Sequence, residues 1–276
     1  GPRCCPSDLV AAPVWWNMTS DEPLNTLIVG GSDGIGLETG TLLCEKGHRV
    51  TLVARDFDHK PEKTLQKIAH LTQTFGEAQC RLIRQDVSRL EELEAFSKQV
   101  KESVGPLDGL VYCAGAQKTL PLVMTKPAVL QELFALNTFA AIELVRCFSK
   151  AGYAREGASF VLLSSLAAHE SSPGKAAYSA SKAALEGFMT SASFELMQKK
   201  IRLNVIAPGI VKTSMSEAFL GKMTSDQFHA LEATYPLGFG EPEDVAWMLE
   251  FLLSRRSRWV SGKIFLIDGG HLPGGK

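Results

Sequence analysis

The fold of this chain is decided by the segment Thr26-Leu27-Ile28-Val29-Gly30-Gly31-Ser32-Asp33-Gly34-Ile35-Gly36. An apolar run leads into a glycine turn, and a helix-like stretch follows over 35–46. Gly30 permits a tight turn with unusual φ, Gly34 lets the backbone approach a pyrophosphate, and Gly36 lets the helix pack closely on the sheet. Free N–H groups at the start of such a helix bind phosphates. The order of strand, turn and helix predicts a dinucleotide site rather than a glycine-rich loop without a ligand.

Apolar strand-like runs alternate with longer amphipathic stretches along the rest of the chain, a pattern typical of βαβ units and a parallel sheet. The predicted strands cover 26–29, 49–54, 80–84, 109–112, 159–163, 201–205 and 264–267. The predicted helices cover 35–46, 63–75, 90–104, 130–151, 176–199 and 242–253. We expect an α/β fold, a single-domain Rossmann-type doubly wound parallel sheet of about seven strands with helices on both faces. This domain is expected to span 26–276, after a flexible N-terminal extension at 1–25.

Composition and charge argue against several functional classes. The 276 residues are 45% hydrophobic, which is enough for one large core. The net charge is −1 and the Lys and Arg residues are scattered, so nucleic acid is not an expected partner. No apolar run approaches the roughly 20 residues that span a bilayer, so no membrane span is expected. The six cysteines form no C-x-x-C pair and the six histidines form no H-E-x-x-H motif. We therefore predict a cytoplasmic protein without a catalytic metal.

A second motif carries the chemistry. Tyr178 and Lys182 are four residues apart, and Ser165 lies thirteen positions before the tyrosine. On one helix the tyrosine and lysine share a face, so the ammonium is expected to lower the pKa of the phenol. Taken alone, such a pair is usually a solvated helix face, but the glycine turn favours the catalytic interpretation.

These segments resemble the short-chain dehydrogenase/reductase family, and in particular its 3-oxoacyl-carrier-protein-reductase-like members. The glycine turn looks like the family's T-G-x-x-x-G-I-G with Val29 in place of Thr, and Tyr112-Cys113-Ala114-Gly115 looks like its N-N-A-G with both asparagines missing. The other matching segments are Leu136-Asn137-Thr138, Ser164-Ser165, Tyr178 with Lys182, and Asn204-Val205-Ile206-Ala207-Pro208-Gly209. The resemblance extends from about residue 26 to residue 270.

The resemblance implies a catalytic tetrad of Asn137, Ser165, Tyr178 and Lys182. Tyr178 would be the general acid in reduction and the base in oxidation, while Lys182 would hold the nicotinamide ribose. Ser165 would hydrogen-bond the substrate oxygen, and Asn137 would position a water that links Lys182 to solvent. Only one of the adjacent serines can point into the site, and the thirteen-residue spacing favours Ser165 over Ser164.

The residue that ends the second predicted strand is expected to select the cofactor. Arg55 points to NADP(H), because arginine accommodates a 2′-phosphate, and NAD(H) is the alternative if Asp56 takes the ribose instead. Asp33 stands where NADP-preferring relatives often carry a basic residue. Asp86 could alternatively be only a helix cap, and Pro208-Gly209 only a turn. The full set of expected cofactor contacts is Gly30, Ser32, Asp33, Gly34, Ile35, Gly36, Arg55, Asp86, Val87, Ala114, Gly115, Tyr178, Lys182, Pro208, Gly209, Ile210 and Thr213.

The substrate is expected to be a small carbonyl or alcohol compound, with the ketone either lipophilic or sugar-like. Resemblance makes 209–239 the substrate lid, with short helices, and the apolar lid residues Met215, Phe219, Leu220, Met223 and Phe228 and the segment 117–122 are its candidate walls. The resemblance also implies a homodimer or homotetramer that pairs through the helices at 130–151 and 176–199 and through the C-terminal strand. Two alternative functions are a catalytically silent NADP(H)-binding scaffold or sensor, and a dehydratase or isomerase.

Overall fold

Seven parallel strands form one sheet in the computed structural model, which describes residues 23–170 and 173–272. The strand order is β3-β2-β1-β4-β5-β6-β7, which confirms the predicted doubly wound sheet. The strands are β1 (Asn25–Val29), β2 (Arg49–Ala54), β3 (Cys80–Arg84), β4 (Leu107–Tyr112), β5 (Ala154–Leu163), β6 (Arg202–Pro208) and β7 (Ile264–Ile267). The expected N-terminal extension lies outside the described residues up to position 22.

Helices cover both faces of this sheet. Those of the described residues are α1 (Gly34–Glu45), α2 (Glu62–Gln79), α3 (Leu93–Val104), α4 (Pro127–Phe134), α5 (Ala140–Phe148), α6 (Ala176–Met197), α7 (Ser214–Leu220), α8 (Ser225–Glu232) and α9 (Pro242–Leu253). Asp33 caps α1 with its side chain, and capping boxes begin α7 and α8 at Thr213 and Thr224. Gly76, at φ 66°, breaks the last turn of α2.

The core is divided by the sheet into two apolar layers, because successive side chains of a strand point to opposite faces. In β1, Leu27 and Val29 pack with α3, α5 and α6, whereas Ile28 packs with α1, α2 and α9. These three side chains are almost completely buried. A strand buried on both faces reads as a continuous apolar run, which is why the sequence pattern identified it.

The strand order reverses between β1 and β4, and the glycine turn after β1 lies at this point. Gly30 adopts φ 87°, and a Cβ added there would lie 2.5 Å from the backbone nitrogen of Ala114, which follows β4. A Cβ at Gly36 would lie 2.2 Å from the carbonyl oxygen of Gly30. Only glycine fits this packing of turn and helix, which leaves a crevice open at the carboxyl ends of the strands.

The helix predicted over 130–151 is interrupted. A π-helical turn, Ala135–Phe139, joins α4 to α5 and contains Asn137. The sequence pattern did not reveal this turn, because the apolar periodicity continues through it. Such turns are frequent at functional sites.

The sequence led us to expect no apolar run of membrane-spanning length, but the stretch Pro127–Phe148, which contains this turn, reaches that length. It is 22 residues long and apolar enough to cross a bilayer by length and composition alone. Its core-facing side chains Leu133, Leu144 and Phe148 are buried inside the protein. Core helices of globular proteins meet the same criterion, so the stretch is weak evidence for a membrane span.

Candidate active site

A cleft of about 1840 Å³ runs along the carboxyl ends of the strands. Every residue that the sequence predicted as a cofactor contact lines it, from the glycine turn to Thr213. Ser165, Tyr178 and Lys182 of the predicted tetrad line it as well, whereas Asn137 is fully buried behind it. Clefts of this size, open at the switch point of a parallel sheet, are where dinucleotides and their substrates bind.

Tyr178 and Lys182 lie one turn apart on α6, and both side chains are largely buried, at 7% and 4% exposure. The Lys182 ammonium donates a hydrogen bond of 2.8 Å to the carbonyl oxygen of Leu163, the last residue of β5. A Cβ added at Gly115 would lie 3.3 Å from both the Lys182 Nζ and the Asn137 Oδ1. These contacts bring Lys182 and Asn137 to the same place beside the turn after β4.

The side chain of Asn137 is fixed from three directions. Its Oδ1 accepts a hydrogen bond from the backbone N–H of Ala116 at 2.8 Å, and its Nδ2 donates to the Ala116 carbonyl oxygen at 2.9 Å. Nδ2 also lies 2.9 Å from the hydroxyl of Ser181, which belongs to the same helix as Lys182. Asn137 therefore ties the turn after β4 to α6.

The adjacent serines at the end of β5 have different environments. The hydroxyl of Ser164 donates to the carboxylate of Glu186 at 2.6 Å and also lies 3.1 Å from the Lys182 carbonyl oxygen. Ser165 lines the cleft, and its hydroxyl accepts from the backbone N–H of Ala167 at 3.2 Å. The same hydroxyl forms a hydrogen bond with the Tyr178 side chain. Ser164 is thus engaged by α6, and Ser165 is the serine beside Tyr178.

The ionisation of the tyrosine and lysine differs from the sequence-based expectation. Burial raises the pKa of Tyr178, and the hydrogen bond with Ser165 opposes this by lowering it. Burial lowers the pKa of Lys182 to about 8, and the thiol of Cys113 opposes this electrostatically. The expected lowering of the tyrosine pKa by Lys182 is therefore wrong for this structure, because desolvation of the phenol dominates. Tyr178 is protonated at neutral pH, ready to donate.

The glycine turn offers hydrogen-bond donors to an anion. The Asp33 carboxylate accepts the N–H of Gly34, and the Asp33 carbonyl oxygen accepts the N–H of Leu37. Among the described residues, no acceptor is found for the N–H groups of Ile35 and Gly36 at the start of α1. A cradle of this kind, without side chains in the way, fits the pyrophosphate of a dinucleotide.

Charged residues line the cleft beyond β2. Arg55 is exposed there, while the Asp56 carboxylate accepts the backbone N–H groups of Asp58 and His59. The Asp86 carboxylate bonds the hydroxyl and the N–H of Ser88, so it caps its own turn. Partial burial raises the pKa of Asp86, but these bonds and the nearby Arg55 outweigh it and the pKa is lowered. The Asp56 carboxylate is thus bonded within its own loop, whereas Arg55 is exposed at the cleft.

The lid region is linked to the glycine turn. The hydroxyl of Ser214, at the start of α7, donates to the second carboxylate oxygen of Asp33. A Cβ added at Gly34 would lie 2.8 Å from the methyl group of Thr213. Asp33 is therefore engaged by α1 and α7, a role that its place in the motif did not indicate.

Helices α7 and α8 are the short helices expected in 209–239, and residues of both line the other end of the cleft. Met215, Phe219 and Met223 line the cleft, but Leu220 and Phe228 do not, and Phe228 instead packs its ring on Phe239 at 5.7 Å. Of the segment 117–122 only Gln117 lines it.

Sequence reasoning missed a cluster of four titratable side chains at this end of the cleft, namely His169, Glu170, Lys175 and His271. The spacing of Lys175, three residues before Tyr178, is the one signal that could have indicated it, since such residues share a helix face.

Comparison with known proteins gives consistent similarities. A family sequence profile described as "Enoyl-(Acyl carrier protein) reductase" matches residues 29–271. The chain is 32% identical over 245 residues to "Carbonyl reductase family member 4" of Xenopus laevis, covering 88% of this chain and 95% of the relative. It is 30% identical over 244 residues to "3-oxoacyl-[acyl-carrier-protein] reductase" of Mus musculus, with the same two coverages.

Solved structures give the same picture. A short-chain type dehydrogenase/reductase from Mycobacterium ulcerans superimposes with a TM-score of 0.80 and 28% identity, covering 91% of this chain and 90% of that chain. A short chain oxidoreductase from Pseudomonas aeruginosa PAO1, described as NADPH-bound and as containing an atypical catalytic center, superimposes with a TM-score of 0.79 and 28% identity, covering 92% and 98%.

Proposed function

Because the chain belongs to the short-chain dehydrogenase/reductase family of oxidoreductases, we propose that it is an NADP(H)-dependent enzyme that interconverts a ketone and a secondary alcohol. One observation carries the proposal: the Tyr178 phenol, the Ser165 hydroxyl and the Lys182 ammonium meet in a cleft whose other end is a glycine cradle for phosphates. This combination supplies an acid, an oxygen-binding hydroxyl and a dinucleotide site together.

The chain's own groups would perform the proton and binding steps. Bound NADPH would supply a hydride to the carbonyl carbon. Tyr178, protonated because burial raises its pKa, would give its proton to the carbonyl oxygen. Ser165, beside it, would hydrogen-bond the same oxygen and stabilise the charge that develops there. The Lys182 ammonium would turn from the Leu163 carbonyl oxygen towards the nicotinamide ribose, and Asn137 would hold the turn beside it.

Arg55 would select the phosphorylated cofactor. Arg55 lines the cleft and is exposed, whereas the competing carboxylate of Asp56 accepts the N–H groups of its own loop. A 2′-phosphate binds arginine through charge-assisted hydrogen bonds. The NADPH-bound description of the Pseudomonas structure supports the same choice.

The substrate class is a small ketone. Relatives are described as carbonyl reductases and as 3-oxoacyl-[acyl-carrier-protein] reductases. We propose reduction of an oxo group of this kind, with 209–239 as the lid within a single domain at 26–276. The cytoplasmic location and the homodimer or homotetramer stay predictions.

Fluorescence titration with NADPH and NADH tests the proposed function. We expect NADPH to bind more tightly than NADH, and Arg55→Ala to weaken NADPH binding about 10- to 100-fold while NADH binding changes little. Arg256→Ala, which removes an exposed arginine outside the cleft, is the matched control. Failure of both nucleotides to bind would contradict the proposed function, and equal loss of both in Arg55→Ala would contradict the role of Arg55.

A further inference from the structure

Two histidines that line the substrate end of the cleft, His169 and His271, each lie beside a carboxylate. The Glu186 carboxylate lies 3.0 Å from the Nε2 of His169 and also accepts from Ser164. The Glu170 carboxylate lies 3.0 Å from the Nε2 of His271.

The remaining acidic groups near this end also have local partners. Glu132 contacts the Lys118 ammonium, and Asp268 accepts the backbone N–H of Gly270 at 3.0 Å. Each of these carboxylates therefore has a partner other than Lys175.

Lys175 is the cation at this end that has no such partner. Its ammonium lies 4.4 Å from the ring centre of Phe219 on lid helix α7, and no carboxylate of the described residues is within ion-pair distance of it. Burial lowers the pKa of Lys175, while Glu170 raises it electrostatically. A half-buried ammonium that packs on an aromatic ring gains from an anion that replaces its lost hydration.

Lys175 is also close to the reacting group. It immediately precedes α6 and lies three residues before Tyr178, and its carbonyl oxygen accepts the N–H of Ser179. Residues three apart at the start of a helix are neighbours in space, and both Lys175 and Tyr178 line the cleft. An anion held by Lys175 would therefore be only a few bonds from the carbon that receives the hydride.

From this geometry we infer that the substrate is an oxo compound carrying a carboxylate or phosphate a few bonds from its ketone, and that Lys175 is the residue that recognises this anion. The inference rests on the proposed function and specifies its substrate class. It assigns the apolar ring of Phe219 the role of holding the ammonium in place rather than of binding a lipophilic chain.

Matched pairs of ketones test the inference. 4-Oxopentanoate and 5-oxohexanoate are each compared with their methyl esters, and hydroxyacetone phosphate with hydroxyacetone, by following NADPH oxidation in the full chain. We expect kcat/KM to be at least tenfold higher for the anionic member of one pair, mainly through a lower KM. Whether the carboxylate or the phosphate pair shows the preference identifies the anion.

Two variants assign the preference to Lys175. Lys175→Met should remove the preference for the anionic ketone: its kcat/KM should fall about tenfold or more, while kcat/KM for the neutral ketone stays the same. Lys175→Arg should keep most of the preference. Lys222→Met, which removes an exposed lid lysine outside the cleft, should behave as wild type.

Three results would overturn the inference. The first is an equal kcat/KM for both members of every pair in the wild-type enzyme, a result that does not depend on any variant. The second is a fall in kcat/KM in Lys175→Met that is the same for anionic and neutral ketones. A preference that disappears in Lys175→Arg would show that charge is not what is recognised. Absence of NADPH oxidation with every ketone, by contrast, would contradict the proposed function itself.

Discussion

At the scale of single residues, the two serines that end β5 differ in what they contact. Ser165 faces the cleft beside Tyr178, whereas Ser164 donates to the buried Glu186 carboxylate. We expect Ser165→Ala to lower kcat about 10²-fold, because it removes a donor to the reacting oxygen. Ser164→Ala should instead lower the free energy of unfolding by about 1–3 kcal/mol, since it leaves a buried carboxylate with one partner fewer.

Steady-state kinetics and urea unfolding of both serine variants separate these effects. The assignment is wrong if Ser164→Ala loses turnover while Ser165→Ala keeps it. Each variant serves as the control for the other, because the two differ only in which neighbouring hydroxyl is removed.

Lys182 leads to a prediction about pH. Its pKa is lowered to about 8 by burial, so the ammonium loses its proton as pH rises through that value. Cofactor that hydrogen-bonds the ammonium favours the charged form and raises the pKa again. NADPH binding at pH 8.5 should therefore take up on the order of 0.5 proton at Lys182, and almost none at pH 6.

Isothermal titration calorimetry in two buffers of different ionisation enthalpy measures this uptake. Lys182→Met should abolish the difference between the two buffers at pH 8.5. Proton release on binding, or uptake that persists unchanged in the variant, would show that Lys182 does not meet the cofactor.

At the scale of secondary-structure elements, the π-helical turn Ala135–Phe139 is held by a buried tyrosine. The hydroxyl of Tyr112, at the end of β4, donates to the carbonyl oxygen of Leu136 at 2.5 Å. Tyr112 stands where the resembling family has an asparagine, so this chain uses a phenol to reach the turn. Tyr112→Phe leaves a buried carbonyl oxygen without its donor and should lower the free energy of unfolding by about 1–3 kcal/mol.

Turnover of the Tyr112 variant should fall as well, because Asn137 lies in the turn that the phenol supports. Tyr153→Phe is the matched control, since its hydroxyl takes part in none of the hydrogen bonds found for the described residues. Denaturant unfolding and NADPH oxidation check both variants. Equal stability of Tyr112→Phe and Tyr153→Phe would refute the supporting role.

Elements were predicted well where the sequence pattern that identifies them lies within the element itself. The bounds of β2, β3 and β7 were predicted correctly, because an apolar run bounded by polar residues identifies a buried strand. The glycine turn was predicted from its backbone requirement. The π turn and the contact of Glu186 with His169 were missed, because each depends on residues brought together only by tertiary packing. The tyrosine pKa was predicted in the wrong direction for the same reason, since desolvation is a property of the folded cleft.

At the scale of the whole molecule, apolar side chains are exposed in the last part of the described chain, which includes the edge strand β7. Trp259 is 89% exposed, Trp247 on α9 is 60% exposed, and Leu266 on the edge strand β7 is 51% exposed. Exposed apolar residues beside an unpaired strand edge are typical of an interface. This supports the expected pairing through the C-terminal strand region.

We expect light scattering of the wild-type chain to give a dimer or tetramer, and the double change Trp259→Glu with Leu266→Glu to give smaller species. Val123→Glu, at a residue that is 91% exposed in the 3₁₀ turn Leu122–Met124, controls for added charge on an apolar surface position. A wild-type monomer, or an assembly unchanged by the double variant, would refute this interface.

Hydride transfer to a ketone, with the proton supplied by Tyr178, is the core of the proposed function. The most direct test uses NADPH that carries deuterium at both C4 positions of the nicotinamide, with mass spectrometry of the alcohol formed from the oxo compounds above. We expect one deuterium on the former carbonyl carbon in the wild-type enzyme. Tyr178→Phe should bind NADPH normally and form product at least about 10²-fold more slowly. Product without deuterium, or near-wild-type turnover in Tyr178→Phe, would contradict the proposed function.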